Sequence, residues 1–211
     1  NTVTYAGSGT NSGALEVVTG TLTLGADFSV SSATIAVGAT LNTTSSYVLS
    51  VSGTLTNNGT LAADPRITYN GAVEQTLLNF IGYLNLTINN AAGVVASGLS
   101  SILNTLSLVL GQLSGAAANI TLGAGATISR SGGSIDAAPT FGSSANVTYA
   151  QNGSAITTGA ELPTSTTVLN NLTINTSNVV TLNANASGNG TLTLTSGAMA
   201  VVNKTLTVKS G

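Results

Sequence analysis

Side chains that could do acid–base or nucleophilic chemistry are few in this sequence. Its 211 residues include six carboxylates and four cations, but neither histidine nor cysteine. Ser-His-Asp and Cys-His catalysis and the common zinc sites therefore cannot be built from it. Glycoside hydrolysis needs only two carboxylates, so the remaining catalytic candidates are the acidic residues Glu16, Asp27, Asp64, Glu74, Asp136 and Glu161.

The six carboxylates are scattered singly along the chain. Glu16 follows Tyr5 at nearly the same interval at which Glu161 follows Tyr149. This spacing indicates an equivalent loop position in two repeats and not a converging site. We therefore expect solvated loop carboxylates and a protein that is not an enzyme.

A carbohydrate-binding or polysaccharide-acting β-helix is the alternative from another functional class. It requires Asp64 with Glu74, or Asp136 with Glu161, in one cleft. The absence of tryptophan counts against a platform for stacking sugars. The sequence contains no D-x-D pair, EF-hand loop or calcium-binding nonapeptide, and we expect neither a metal nor a cofactor.

Charge is scarce over the whole sequence. Charged residues make up 5% of the chain, against about 25% in an ordinary globular domain. Four cations cannot neutralise a row of phosphates or anionic lipids, so we expect no nucleic-acid partner and no polybasic membrane contact. The apolar segment 94–113 carries interior serines and a period-two alternation, which favours strands over a membrane-inserted helix. The rarity of lysine and the abundance of serine and threonine favour a secreted or cell-surface location.

Short runs of β-branched and aliphatic residues, each closed by Gly, Asn or Ser, predict an all-β chain. Two of these runs have nearly the same text, "YLNLTIN" at 83–89 and "VLNNLTIN" at 168–175. After the first run, the next strands begin at Leu106 and Ile120. After the second run, they begin at Leu192 and Leu206, at the same two distances along the sequence. Such self-similarity is typical of a repeat architecture, in which each unit buries its apolar face on its neighbours.

Three tyrosine-containing segments introduce the repeats, around Tyr5, Tyr69 and Tyr149. They predict one continuous elongated structure of three units: an atypical first unit, a second unit and an incomplete third unit, over residues 1–66, 67–146 and 147–211.

The spacings favour a parallel β-helix, or β-solenoid, built from imperfect repeats. Coils of roughly 20 residues with two or three short strands fit the recurring intervals. Tandem Ig-like or jelly-roll β-sandwiches are the alternative, with antiparallel strands in each unit.

The ordered series "ITYNG", "YLNLTINNAAGVV", "LNTLSLVLGQLS" and "NITLGAGATISRSGGSI", followed by "NVTYAQNGSAITTGAELPTSTTVLNNLTIN", resembles the tandem repeats of large secreted surface proteins of Bacteroidota and related bacteria. The resemblance covers nearly all of the chain from Ile67 onward. It implies β-solenoid or β-sandwich stalks exported to the cell surface, in adhesins or extracellular fibres. It carries over no catalytic residue.

Exposed strand edges are the first candidate interaction feature. The opening and closing segments are both strand-like, which makes Val3, Tyr5, Leu206 and Val208 candidate assembly edges. We expect an extracellular structural protein, a subunit or segment of a surface fibre or adhesin stalk that assembles by strand-edge stacking. Its partners would be further copies of itself or adjacent repeats of a longer chain, with surface glycans as a further candidate.

Two other surface features suggest binding or modification. Thr-x-Thr pairs at 21–23, 54–56, 191–195 and 205–207 suggest an ice-binding solenoid as a lesser alternative, although "LSLVL" and "LTINN" interrupt the array. Eleven N-x-S/T sequons occur, several of them inside predicted strands, where asparagine ladders and turns are the alternative interpretation. The candidate glycosylation sites are Asn42, Asn58, Asn119, Asn152, Asn185 and Asn189.

Overall fold

The chain winds into a β-solenoid of about 10 turns and is nearly all β, with 2% helix. The computed structural model describes residues 2–5, 9–10, 13–62, 64–150 and 153–209, with side chains described from residue 13 onward. Every strand pair within these ranges is parallel. The predicted solenoid is therefore confirmed, and the antiparallel sandwiches are excluded.

The strands are short and follow one another closely. The first ten are β1 Thr2–Tyr5, β2 Gly9–Thr10, β3 Ala14–Val17, β4 Gly20–Leu24, β5 Phe28–Val30, β6 Ser32–Ile35, β7 Ala39–Asn42, β8 Val48–Val51, β9 Leu55–Asn57 and β10 Thr60–Leu61. The middle of the chain contains β11 Arg66–Tyr69, β12 Gln75–Thr76, β13 Ile81–Asn89, β14 Val94–Val95, β15 Ser100–Leu110, β16 Gln112–Ser114, the helix α1 Ala116–Asn119, β17 Ile120–Leu122, β18 Ala126–Arg130 and β19 Ser134–Ile135. The last six are β20 Ala145–Ala150, β21 Ile156–Thr157, β22 Leu169–Thr181, β23 Ala186–Gly188, β24 Leu192–Ala200 and β25 Leu206–Val208.

Each coil crosses three faces in the same order. The first face holds the sheet β1-β4-β7-β10 in the early coils and the pair β23-β25 in the last ones. The second face holds most of a 12-stranded sheet, called here the long sheet, which runs from β2 to β24. The third face holds the sheet β3-β6-β9 and then the sheet β12-β14-β16-β19.

The core is a set of apolar columns inside the coils. In β13, Leu86 and Ile88 are fully buried, whereas Thr87 between them is partly exposed, as alternation along a strand requires. Leu86 pairs in register with Leu106 one coil further on. Leu172 lies in the same column three coils beyond Leu106. The two near-identical segments therefore recur because they occupy the same place in different coils.

A single column of hydroxyl side chains follows the outer surface of the long sheet. Consecutive register pairs connect it without interruption, from the pair of Ser29 and Ser50 to the pair of Thr173 and Thr193. We call this column the hydroxyl rank, and its members are Ser29, Ser50, Thr68, Thr87, Ser107, Ser129, Thr148, Thr173 and Thr193. Neighbouring members lie about 4.8 Å apart, the strand spacing of a sheet.

The apolar core is divided into two clusters. The first ends at Ile135 and the second begins at Val147. Between them Arg130 occupies an inner column, paired in register with Leu108 on one side and with Tyr149 on the other. A charged side chain thus replaces an aliphatic one at a core position.

The three units predicted from the tyrosine segments remain a prediction, because the solenoid's evident unit is the coil. Tyr5 pairs with Leu24 on the first face, whereas Tyr69 and Tyr149 lie in the long sheet on the second face. The first segment therefore does not occupy the same place in its coil as the other two.

Candidate functional site

Two of the acidic side chains, those of Asp27 and Asp136, serve local structural roles. Asp27 Oδ1 accepts a hydrogen bond from the Val48 backbone at 2.9 Å. Asp136 accepts hydrogen bonds from the backbone nitrogens of Gly115 at 2.7 Å and Ala116 at 3.2 Å, at the start of α1. Among the described residues, no three acidic, histidine or cysteine side chains come together as a metal site.

The carboxylate pairs that a carbohydrate-acting site requires have no shared hydrogen-bond partner. Asp64 and Glu74 are both exposed, and neither bonds to another described residue. Asp136 is engaged at α1, whereas Glu161 is buried among other partners. The structure therefore gives no support to either pair as a catalytic dyad.

Glu161 is the exception to the expected solvated loop carboxylates, and that expectation is wrong for it. Its side chain is 1% exposed and forms an ion pair with Arg130 over 2.7 Å between Nη1 and Oε1. Glu16 is not equivalent to it, because Glu16 lies on β3 and is exposed. The physical reason is Arg130 itself: a guanidinium in a core column requires a buried counter-charge.

Three donors converge on the same carboxylate oxygen of Glu161. Besides Arg130, the Tyr149 hydroxyl donates to Oε1 at 2.9 Å and the Gly159 backbone nitrogen at 2.8 Å. Oε2 is buried without a partner among the described residues. Arg130 also donates to the carbonyls of Gly133 at 2.8 Å and Thr157 at 2.9 Å. The network fastens the segment 157–161 to the junction between the two core clusters.

Sequence reasoning missed this network, although one signal was present. Alternation in "ATISR" places Arg130 on the same side of β18 as Ile128, which marks it as an inner residue. Its partner Glu161 is remote in the sequence, and no local pattern identifies it.

Three buried tyrosines make the stability of the fold decrease at alkaline pH. Burial raises the pKa of Tyr69, and it raises the pKa of Tyr83 and Tyr149 well above the usual value, with the Glu161 charge adding to the effect at Tyr149. An unfolded tyrosine loses its proton at about pH 10, while the folded protein keeps it. The stabilisation that these tyrosines contribute is thus fully present below about pH 10. It is lost as pH rises through their higher folded-state pKa values.

We expect the thermal unfolding midpoint to be level approaching pH 10 and to fall above it. Circular dichroism melts over a pH series would measure this, and Tyr83→Phe should make the decline shallower because one titrating group is removed. A midpoint that stays constant through the alkaline range would contradict the prediction.

The final coil leaves its apolar side chains uncovered. Leu194 on β24 is 55% exposed, whereas its register partner Ile174 in the preceding coil is 0% exposed. On β25, Leu206 is partly exposed and Val208 is 45% exposed. Within the described residues, β24 pairs only with β22 and β25 pairs only with β23.

The opposite edge belongs to β1, which pairs only with β4 among the described strands. The backbones of Val3 and Tyr5 lie on this edge, opposite Leu22 and Leu24. The side chains of these two residues lie outside the described part of the chain.

The predicted Thr-x-Thr pairs do not stack into one array. Thr21 and Thr23 lie on β4 in the first face, whereas Thr56 lies on β9 in the third face and Thr193 lies in the long sheet. Thr207, on β25, is back on the first face. The grouping made from the sequence is therefore wrong, and register instead assembles the hydroxyl rank from serines and threonines that the motif does not contain.

The candidate glycosylation sites differ in accessibility, and their modification stays a prediction. They form three groups: Asn58 and Asn185, which are exposed; Asn42, Asn119 and Asn189, which are partly exposed; and Asn152, which lies outside the described residues. The Asn119 amide nitrogen already donates to the carbonyls of Ala96 at 2.7 Å and Gly115 at 3.0 Å. In the long sheet, Asn146 Oδ1 accepts hydrogen bonds from the amides of Asn170 and Asn171, which confirms that asparagines bridge neighbouring coils there.

These features define the chain as a repeat protein of the parallel β-solenoid class. No protein-family model, curated protein or solved structure matches it. Among the described residues, no helix has the length and apolar character needed to cross a membrane.

Proposed function

We propose that this chain is a structural segment of an extracellular fibre or cell-surface adhesin stalk and has no catalytic role. The observation that carries the proposal is the uncovered final coil, in which an inner column continues without a covering layer at Leu194. Another coil of like geometry would complete the column. The role is mechanical, because continuous stacking of parallel coils gives a stiff rod.

The energetic reason for stacking is burial of the last apolar layer. Fully burying one leucine contributes about 1.5–3 kcal/mol, and the final coil presents several partly exposed apolar residues: Leu192, Leu194, Met199, Leu206 and Val208. Unpaired strand edges add backbone hydrogen bonds when another strand is laid against them. Both contributions favour addition of a coil at this end.

The order of the faces fits head-to-tail addition. The edge strand β25 lies on the first face, as does β1 at the other end of the solenoid. The first part of β24 lies in the long sheet, as does β2. A second copy could thus place β1 beside β25, with these strands parallel. Such a heterologous contact does not close on itself and generates a filament.

Composition supports a role outside the cell in this proposal. A formal net charge of −2 opposes stacking of identical units very little. The resemblance to repeats of secreted Bacteroidota surface proteins adds the cell surface as the location. The partners in the proposal are further copies of the chain or like repeats in a longer one.

Charging the final coil is expected to stop assembly. We predict that the unmodified chain sediments as species whose mass rises with concentration, and that Leu194→Lys shifts it to the monomer. Val37→Lys is the matched control, because Val37 is 82% exposed outside the final coil. Sedimentation velocity over a concentration series would measure the difference. A monomeric wild-type chain at every concentration, or equal assembly of Leu194→Lys and wild type, would overturn assembly of separate copies through the final coil.

Ice binding is a second candidate, favoured specifically by the hydroxyl rank. The segments "LSLVL" and "LTINN" interrupt the Thr-x-Thr pattern, but Ser107 and Thr87 from those segments are register partners in the hydroxyl rank. None of the rank hydroxyls bonds to another described residue, so all are available to water. Each can donate one hydrogen bond and accept two, at a repeat of about 4.8 Å.

Ice binding would appear as inhibition of ice recrystallisation by the folded chain. Thr87→Lys, in the middle of the rank, is expected to abolish the inhibition, whereas Thr121→Lys on β17 should preserve it. Thr121 is exposed and lies outside the rank, which makes it a fair control. Absence of inhibition by the wild-type chain would eliminate this candidate and leave the structural proposal untouched.

A further inference from the structure

A cleft on the first face of the last two coils has the properties of a small binding site. It measures about 340 Å³ and is lined by Thr164, Thr166, Asn185, Ala186, Ser187, Thr205 and Thr207. Ligand pockets of this kind typically begin at about 300 Å³. The floor comes from β23 and β25, and the wall comes from Thr164 and Thr166. The Lys209 ammonium, which donates to the Thr166 carbonyl at 2.9 Å, ties that wall to the final coil.

Ser187 supplies an unpartnered polar group at the floor of this cleft. Its residue is 7% exposed, and Oγ is buried without a hydrogen-bond partner among the described residues. Ser187 pairs in register with Thr207, while the adjacent pair of Ala186 and Leu206 faces the core. Alternation therefore directs Ser187 and Thr207 away from the core, towards the cleft. A buried hydroxyl without a partner destabilises the fold, so this position is not explained by stability.

The remaining lining is neutral and mixes hydroxyls with methyl groups. Asn185 Oδ1 accepts a hydrogen bond from the Thr205 backbone at 3.0 Å, which fixes the amide and leaves its nitrogen as a donor. The threonines each add one hydroxyl and one methyl group. No carboxylate lines the cleft among the described residues, and the nearby ammonium of Lys209 is engaged with the wall.

We propose that this cleft binds a single neutral pyranose unit of a surface glycan. A pyranose offers hydroxyls on its rim, to pair with Ser187 Oγ and the Asn185 amide, and C–H groups that match the threonine methyls. The uncharged lining selects against phosphorylated and acidic ligands. This inference is independent of filament assembly, because the cleft lies within one chain.

The test is an NMR titration of the full chain with four probes: methyl α-mannopyranoside, methyl β-glucopyranoside, methyl β-galactopyranoside and N-acetylglucosamine. At least one of them should produce saturable shifts of the Thr205 and Thr207 amides. Ser187→Ala should abolish those shifts while leaving the unfolding midpoint unchanged or higher, because it removes an unpaired buried hydroxyl. Ser32→Ala, which removes a hydroxyl from β6, is the matched control and should bind as wild type does.

Three results would overturn the proposal. The first is that none of the four sugars moves the cleft amides. The second is that Ser187→Ala binds as tightly as wild type. The third is that glycerol or glucuronate produces the same saturable shifts as the neutral sugars. A lower unfolding midpoint for Ser187→Ala with unchanged binding would assign the hydroxyl a structural role instead.

Discussion

Replacing Glu161 with alanine is expected to lower the free energy of unfolding by about 3 kcal/mol, the low end for a broken buried ion pair. The low end applies because the Arg130 side chain is 16% exposed and water can still reach part of the stranded charge. The substitution also removes the acceptor for the Tyr149 hydroxyl and the Gly159 backbone nitrogen. Urea unfolding followed by circular dichroism would measure the change.

A double-mutant cycle separates the ion pair from the rest of the network. Arg130→Met with Glu161→Ala should be less destabilising than the sum of the two single changes, because neither charge is left alone. Glu16→Ala is the surface control, with an expected effect within about 0.5 kcal/mol. If Glu161→Ala is as mild as the control, the buried network does not hold the junction between the core clusters.

Adding one methyl group at Gly111 is expected to be nearly as damaging. Gly111 connects β15 to β16 with φ at +76°, and a Cβ there would overlap the carbonyl oxygen of Asn90 on the adjacent coil. The backbone of Asn90 cannot retreat easily, because its side-chain amide is buried and donates to the Val73 carbonyl at 2.7 Å. Strained φ and backbone overlap together predict a loss of about 3 kcal/mol for Gly111→Ala.

Gly125 offers a control with the same backbone conformation. Its φ is +77°, but no heavy atom lies within 4 Å of an added Cβ. Gly125→Ala should therefore cost only the conformational strain, about 1–2 kcal/mol. Urea titrations of both variants give the difference between their losses of unfolding free energy. That difference measures the close approach of adjacent coils at Gly111. Equal losses would mean that the coils do not pack as tightly at this corner as the structure indicates.

Much of the architecture could be predicted because its signals are local. Alternation within runs such as "LTI" identifies strands, and the recurring interval from Leu86 to Leu106 is one complete coil. The shorter interval that follows leads from the long sheet across the third face to the next coil's first face, at Ile120. Both intervals in the sequence therefore correspond to distances along the coils of the solenoid.

The assignment of residues to faces could not be predicted, because corner lengths vary. The coil from Ser50 to Thr68 is clearly shorter than the coil from Thr148 to Thr173. A motif search groups Thr21 with Thr193, although they lie on different faces, and misses Ser107, which lies in the same rank as Thr193. The strand register over many coils, and not the local sequence, determines which hydroxyls align.

The site residues were the least predictable part. The Arg130–Glu161 pair depends on two segments that meet only after the coils have stacked. The cleft at Ser187 likewise needs Thr164 and Thr166 to lie next to β23. The candidate edge residues Leu206 and Val208 could be recognised early, because they lie in a closing segment with strand character that alternates regularly.

X-ray diffraction from oriented wild-type filaments tests the central claim most directly. End-to-end stacking of parallel coils predicts a reflection at about 4.8 Å along the filament axis. It also predicts a longer axial repeat of about 48 Å, from about 10 coils per chain. Filaments with the 4.8 Å reflection perpendicular to their axis would contradict assembly through the exposed strand edges. A concentrated sample that forms no filaments would contradict it as well.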